Sequence, residues 1–129
     1  RSRGLGDVYK RQRQANLIKS ILINAPIPSI IINDRFSAGW DDNLSCVVID
    51  GKQRITALLK FMLGQLSVPA EWFGMEGRAS FLDLTEIQQR RFKQSPIAFS
   101  EGYLGSLADE EEVFNLVNFG GVPQGESDL

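Results

Sequence analysis

At 129 residues the chain is long enough for one domain with a real core, but short for an enzyme with separate binding and catalytic lobes. Hydrophobic residues make up 43% and charged residues 23%, as in soluble globular proteins, and no apolar run reaches the roughly 18 to 20 residues that span a bilayer, so we expect a cytoplasmic protein that makes no membrane contact. The chain contains no histidine, which disfavours a zinc site and an HNH nuclease within these residues. It contains one cysteine, Cys46, which cannot form an internal disulfide. The apolar neighbours of Cys46 predict that it is buried, which disfavours a thiol enzyme.

The first twelve residues show no hydrophobic periodicity. Residues 7–12 resemble the translation of a sequencing-library adapter, so we predict that 1–12 are not native and that 13–129 are part of a domain truncated at both ends. Excluding 1–12 removes four basic residues and one acidic residue, and it changes the net charge from −2 to −5. An acidic body argues against broad electrostatic attachment to nucleic acid.

The middle of the chain shows clear hydrophobic periodicity. Apolar residues at three- and four-residue spacings predict a helix over 14–23. Two short runs rich in β-branched residues, 28–33 and 46–49, predict buried strands joined by a polar connection. Residues 55–63 carry an apolar stripe that predicts an amphipathic helix, which Gly64 closes as a C-terminal cap.

Capping residues and charge order predict the remaining elements. A helix is expected over 85–92, where Thr85 is a good N-cap and the charges run from acidic to basic. The segment 96–99 is predicted as a strand, and 108–117 as a helix that opens with acidic residues and ends at 118–121.

The turn between the second strand and the amphipathic helix carries an unusual charge pattern. Gly51 permits a sharp turn, and Lys52 and Arg54 fall in the first helical turn. Two cations there oppose the helix macrodipole, at a cost of about a few tenths of a kcal/mol each. An anion bound between the free N–H groups and these side chains would remove the conflict, so the pattern indicates a phosphate site.

Spacing alone also allows a purely structural role for this turn. Asp50 could simply cap the helix, with Lys52 and Arg54 in solvent or paired with nearby acids such as Asp41 or Asp42.

A resemblance favours the phosphate site. The run from Val48 to Leu58, with Asp50-Gly51-Lys52-Gln53-Arg54 inside it, resembles the Asp-Gly-Gln-Gln-Arg motif in the N-terminal domain of GmrSD-type modification-dependent restriction endonucleases. Three further stretches are similar to that family in the same order: 17–28, 84–92 and 113–123. The resemblance implies an α/β (α+β) fold of the ParB/sulfiredoxin-like type, with a small mixed sheet flanked by helices.

The resemblance also implies site residues and a cofactor, namely an NTP (GTP, ATP or CTP) with Mg²⁺. Asp50 and Arg54 take the catalytic roles, Asp50 by orienting the metal or the attacking water. The nucleotide phosphates are expected to contact Gly51, Lys52, Gln53, Arg54, Asn118, Gly120 and Gly121. Lys52 departs from the glutamine common in the family; as a point charge it can still hold a phosphate, so the change affects hydrolysis more than binding.

Two other polar stretches have ordinary structural alternatives. Asn118 with the glycines after it could hold a ligand against the backbone, or could equally form a helix C-cap. Trp40, Asp41 and Asp42 could stack a base or hold a metal ion, although a surface hairpin is the favoured interpretation.

Three aromatic residues, Trp72, Phe73 and Phe81, are more typical of a core than of a base-stacking platform.

The expected function is that of a nucleotide-binding, NTP-hydrolysing module that regulates the restriction of modified or foreign DNA in phage defence. In that scheme DNA is reached through the full-length protein, whose C-terminal HNH-type nuclease domain is not expected among these histidine-free residues. The alternative is a non-enzymatic ParB-like module that docks a partner or holds a DNA phosphate with Lys52 and Arg54. A homodimer is compatible with either assignment.

Overall fold

The computed structural model describes residues 4–41 and 45–119. They form four α-helices and five strands, and they divide into two compact units. One unit comprises the described residues up to 27 together with 54–96, and the other comprises those of 28–53 and from 97 onward. In the part of the chain that the structure describes, no helix combines the length and apolar character needed to cross a membrane.

The first unit opens with helix α1, Leu5–Leu22. Its buried face is formed by residues three and four apart: Gln14, Ala15, Leu17, Ile18 and Ile21. The predicted helix over 14–23 is therefore confirmed, but α1 begins at Leu5, before the predicted start. Residues 5–12 are exposed, so this extension buries no apolar face of its own.

Helix α2, Lys52–Met62, confirms the strongest helical pattern in the sequence, but its buried face differs from the predicted stripe. The residues buried are Arg54, Ala57 and Phe61, whereas Leu59 and Leu63 are 54% and 63% exposed. Gly64 closes the helix as predicted, with φ of +81°, and a Cβ there would lie 2.8 Å from Cδ1 of Leu82.

Phe61 determines that face because it lies at the centre of an aromatic cluster. Its ring centroid lies 6.4 Å from that of Phe73, 6.2 Å from that of Phe81 and 5.2 Å from that of Phe92. Phe81 is buried, as predicted, while Phe73 and Trp72 are half-buried. The three pairs are stacked, edge-on and tilted respectively, and such contacts add to the hydrophobic burial.

Short elements complete the first unit. Strands β3, Val68–Pro69, and β4, Arg78–Ala79, pair antiparallel. Helix α3, Glu86–Lys93, begins at a capping box, in which Thr85 Oγ1 accepts from the backbone N–H of Gln88 at 3.2 Å. The backbone N–H of Thr85 donates to Oε1 of Gln88 at 2.9 Å, so the predicted N-cap is confirmed.

The second unit is a three-stranded sheet with one helix. Its strands are β1, Ile30–Asp34, β2, Cys46–Asp50, and β5, Phe99–Gly102, in the order β2-β1-β5. Strand β1 pairs antiparallel with β2 and parallel with β5, which confirms the small mixed sheet. The strand predicted at 96–99 begins only at Phe99, which pairs with Ile30, and the carbonyl of Ala98 just before it accepts from the N–H of Ile30.

Helix α4, Leu107–Phe119, contacts β2. It begins one residue before the predicted helix and continues through Asn118, where the sequence pattern predicted its end. Only Glu110 and Asn118 are buried along it, whereas Leu116 and Phe119 are 64% and 73% exposed.

The prediction that Cys46 is buried is wrong: its side chain is exposed. Cys46 is the first residue of β2, and β2 is an edge strand of the described sheet. An apolar run predicts a strand but not its place in the sheet, and residues at the end of an edge strand have neighbours on fewer sides.

Candidate functional site

The turn between β2 and α2 has the backbone geometry that the sequence predicted. Strand β2 ends at Asp50, Gly51 has φ of +100°, and α2 begins at Lys52. A side chain at Gly51 would be strained, since positive φ is disfavoured for all residues with a Cβ. The first turn of α2 contains no acidic residue, whereas Lys52 and Arg54 both fall within it, so the charges of this turn oppose the helix dipole.

This turn borders a cavity of about 220 Å³, which we call the turn cavity. It is lined by Ile49, Asp50, Gly51, Lys52, Gln53 and Phe114. Lys52 and Gln53 are exposed, whereas Asp50 is only 7% exposed. The structure therefore places four of the predicted site residues around one space, with the cation on the accessible side and the carboxylate set deeper.

Asn118 joins the same region from helix α4. Its side-chain amide donates to the carbonyl of Phe114 at 2.9 Å and to Oδ1 of Asp50 at 3.5 Å, at the long limit for a hydrogen bond. Two candidates that lie 68 residues apart in sequence are thus neighbours in the fold. The other predicted members of this segment, Gly120 and Gly121, lie outside the described residues.

Arg54 has a different position from its neighbours in the motif. Its side chain is fully buried, at 0% exposure, and it is not among the described residues that line the turn cavity. Arg54 therefore belongs to the interior of the fold, where burial of a guanidinium is costly unless other groups compensate its charge. Its predicted contact with phosphate, and its catalytic role, stay predictions.

Trp40 lies in the connection between β1 and β2. These strands pair antiparallel and so form a hairpin, which was the favoured interpretation. Trp40 is half-buried, and its indole N–H donates to the carbonyl of Leu104 at 2.7 Å. The guanidinium carbon of Arg35 lies 4.0 Å from the centroid of the Trp40 ring, so a side chain of this protein already occupies one face of the ring. Asp41 is exposed, and Asp42 lies outside the described residues.

Sequence reasoning missed a buried polar network at the other end of α4. Arg35 makes two hydrogen bonds to the carboxylate of Glu110, from Nε to Oε2 at 2.9 Å and from Nη2 to Oε1 at 2.7 Å. The amide of Asn33 donates to Oε2 of Glu110 at 2.7 Å and to the carbonyl of Leu104 at 2.9 Å, and its Oδ1 accepts from the N–H of Leu104 at 2.6 Å. We call Asn33, Arg35 and Glu110 the β1–α4 network.

The network changes the titration of Glu110. The hydrogen bonds from Arg35 are the main cause of a lowered pKa, and the bond from Asn33 and the charge of Arg35 act in the same direction. Burial opposes them but is outweighed. Glu110 was one of four consecutive acidic residues, and no local signal in the sequence distinguishes it from the exposed Glu111 and Glu112.

Two larger cavities are also present. One, of about 500 Å³, lies between β2 and α4 and shares Ile49 and Phe114 with the turn cavity. The other, also about 500 Å³, lies within the first unit beside Ile21, Trp72 and Phe92, and its described lining contains none of the residues predicted to bind phosphate. Among the residues at 4–41 and 45–119, no three acidic or cysteine side chains gather as a metal site.

The chain also matches a known protein family. The family model of the GmrSD restriction endonuclease N-terminal domain matches residues 6–129. No curated protein matches the chain, and no solved structure matches it. The ParB/sulfiredoxin-like assignment therefore stays a prediction, whereas the family resemblance is confirmed over nearly the whole chain.

Proposed function

The chain belongs to the family of N-terminal domains of GmrSD restriction endonucleases, and from this premise we propose that it is the nucleotide-binding regulatory module of a system that restricts modified or foreign DNA in phage defence. In this scheme a nucleotide binds at the turn cavity and controls a nuclease domain elsewhere in the full-length protein.

The observation that carries the proposal is the grouping of Asp50, Gly51, Lys52 and Gln53 around the turn cavity. The first N–H groups of a helix have no intrahelical acceptor, and the helix dipole favours an anion near them. Lys52 adds a positive charge, and Gln53 adds amide donors at the same end of the helix. These features together suit the terminal phosphates of a nucleotide.

Asp50 is the residue that would hold Mg²⁺. Magnesium in phosphate sites usually takes one or two carboxylates together with phosphate oxygens and water, so the carboxylate of Asp50, which lines the turn cavity, fits that pattern. Bound Mg²⁺ would neutralise phosphate charge. Asn118, as a donor to Asp50, would orient the carboxylate. Hydrolysis of the nucleotide is the second part of the proposal, with Asp50 positioning the attacking water.

We assign Arg54 to a positioning role rather than to the cavity wall. It lies on the buried face of α2 with Ala57 and Phe61, two positions after Lys52. In this role the buried Arg54 side chain anchors the first turn of α2. The anchored turn keeps the N–H groups and Lys52 in fixed directions, which lowers the entropy cost of binding a ligand.

The test is a nucleotide titration of the full-length protein with GTP, ATP and CTP in the presence of Mg²⁺. We expect Lys52→Ala to weaken binding by about tenfold, which corresponds to about 1.4 kcal/mol. Lys60→Ala is the matched control, because Lys60 lies in the last turn of the same helix and does not line the turn cavity.

The proposal is wrong if the wild type has no nucleotide affinity, or if both lysine variants bind as the wild type does. Salt-sensitive DNA binding without nucleotide affinity, weakened by Lys52→Ala, would instead support a module that holds a DNA phosphate.

A further inference from the structure

The turn cavity is too small for a whole nucleotide. Its volume is about 220 Å³, whereas pockets that enclose small-molecule ligands usually measure about 300–1,000 Å³. It has room for phosphates, so the sugar and base of a bound nucleotide need an adjoining space. The cavity between β2 and α4, which we call the β2–α4 cavity, measures about 500 Å³ and shares two lining residues with it.

We propose that the β2–α4 cavity is the nucleoside subsite, with the base lying against the ring of Phe114. This inference rests on the proposed function, because it extends the same site in one direction. It is carried by Phe114 and Ile49, which line both cavities and so form their common wall.

The chemistry of the two cavities differs in the way that the two halves of a nucleotide differ. The β2–α4 cavity is walled by Val47, Val48, Ile49 and Phe114, with Glu110, Glu111 and Asn115 as its polar members. Among the described residues that line it there are two carboxylates and no cation, which disfavours phosphate there. The turn cavity contains Lys52. The charges therefore orient a nucleotide with its phosphates at the turn and its uncharged nucleoside along α4.

Phe114 is suitably placed and supported for stacking. It is 41% exposed, which leaves part of its ring accessible. The ring of Phe119 packs edge-on against it, with centroids 6.3 Å apart. Its backbone carbonyl accepts from Asn118, the residue that also donates to Asp50. Stacking of a base on an aromatic side chain is tolerant of base identity, so Phe114 contributes affinity rather than selectivity.

Selectivity would come from Glu111. The two oxygens of Glu110 already accept from Arg35 and Asn33, so the accessible carboxylate in this cavity is that of the exposed Glu111. Glu111 and Phe114 lie three residues apart on α4, on one side of the helix. An ionised carboxylate only accepts hydrogen bonds, so it favours bases with an exocyclic amino group over uracil, whose one donor on the base is the ring N3–H.

The experiment compares two kinds of ligand on the full-length protein with Mg²⁺: the four common NTPs and inorganic tripolyphosphate. We expect Phe114→Ala and the more conservative Phe114→Leu to weaken ATP, GTP and CTP by about tenfold or more while tripolyphosphate binding stays unchanged. Leu116→Ala is the control, because Leu116 is 64% exposed on α4 and lines neither cavity. Glu111→Gln should reduce the preference for amino-bearing bases over UTP.

The outcomes separate a failure of this subsite from a failure of the proposed function. If Phe114→Leu leaves NTP affinity unchanged, or weakens tripolyphosphate as much as NTPs, the subsite is wrong while nucleotide binding stands. If Glu111→Gln leaves the order of base preference unchanged, Glu111 does not contact the base. If neither NTPs nor tripolyphosphate bind the wild type, the proposed function fails and the subsite fails with it.

Discussion

The turn cavity and the β1–α4 network are two polar regions of the same small unit, and they differ in almost every physical respect. The turn cavity is built mainly from residues adjacent in sequence, and its donors Lys52 and Gln53 face solvent. The β1–α4 network joins residues 75 or more positions apart and is largely buried, with its carboxylate paired on both oxygens. Accessible donors can bind a ligand, whereas satisfied buried ones stabilise the fold.

The largest expected effect tests whether the β1–α4 network stabilises the fold. Glu110→Ala takes the paired carboxylate away from the guanidinium of Arg35, whose side chain is 12% exposed, and it removes one of the two acceptors of the Asn33 amide. Loss of one member of a buried ion pair typically costs about 3–5 kcal/mol. Urea unfolding should show a loss of this size, whereas Glu112→Ala, an exposed position on the same helix, should change stability by less than about 0.5 kcal/mol.

Equal stability of the two variants would show that the β1–α4 network contributes nothing to folding. If Glu110→Ala lowers nucleotide affinity without lowering stability, the β1–α4 network has a role in ligand binding rather than in folding.

Arg54 shares features of both regions, because it belongs to the motif of the turn but is buried like the β1–α4 network. We expect Arg54→Ala to lower the free energy of unfolding by about 2–4 kcal/mol, since it removes a large side chain that is fully buried. Lys52→Ala, at the exposed position two residues earlier, should change stability by less than about 0.5 kcal/mol. Thermal unfolding and nucleotide titration of both variants separate the two roles.

If Arg54→Ala is as stable as the wild type and abolishes binding, Arg54 contacts the nucleotide directly. In that case the positioning role assigned to it is wrong, and the catalytic role implied by the family motif gains support.

Local patterns predicted the parts of the fold that depend on neighbouring residues. The helix α2, the strands β1 and β2 and the glycine turn between β2 and α2 all follow from spacing, β-branched runs and capping. The Asp50–Gln53 turn was found for the same reason, since its donors and charge are adjacent in the chain. The capping box at Thr85 is a further local feature that the structure confirms.

Features set by tertiary packing could not be predicted in this way. The face that α2 buries depends on the aromatic cluster around Phe61, and the exposure of Cys46 depends on β2 being an edge strand. The selection of Glu110 from four consecutive acids depends on Arg35, 75 residues away. The approach of Asn118 to Asp50 likewise requires α4 to contact β2, which no local pattern shows.

The smallest expected effect concerns pH, and it tests whether the paired carboxylate of Glu110 contributes to stability as an ion. The pKa of Glu110 is lowered from its ordinary value of 4.5, chiefly by hydrogen bonds from Arg35. A carboxylate whose pKa is lower in the folded state stabilises the fold above its unfolded-state pKa, and this contribution is lost as pH falls through the lower, folded value. The stabilisation is therefore complete near neutral pH and decreases in acid.

We expect the difference in unfolding free energy between wild type and Glu110→Gln to be constant near neutral pH and to narrow below about pH 4.5. Glu110→Gln should lower the free energy of unfolding less than Glu110→Ala does, because glutamine keeps the shape of the side chain and one oxygen acceptor for Arg35 or Asn33. Urea unfolding of both proteins between neutral pH and pH 3 measures the difference. A difference independent of pH over this range would mean that shape and hydrogen bonding, rather than charge, hold the β1–α4 network together.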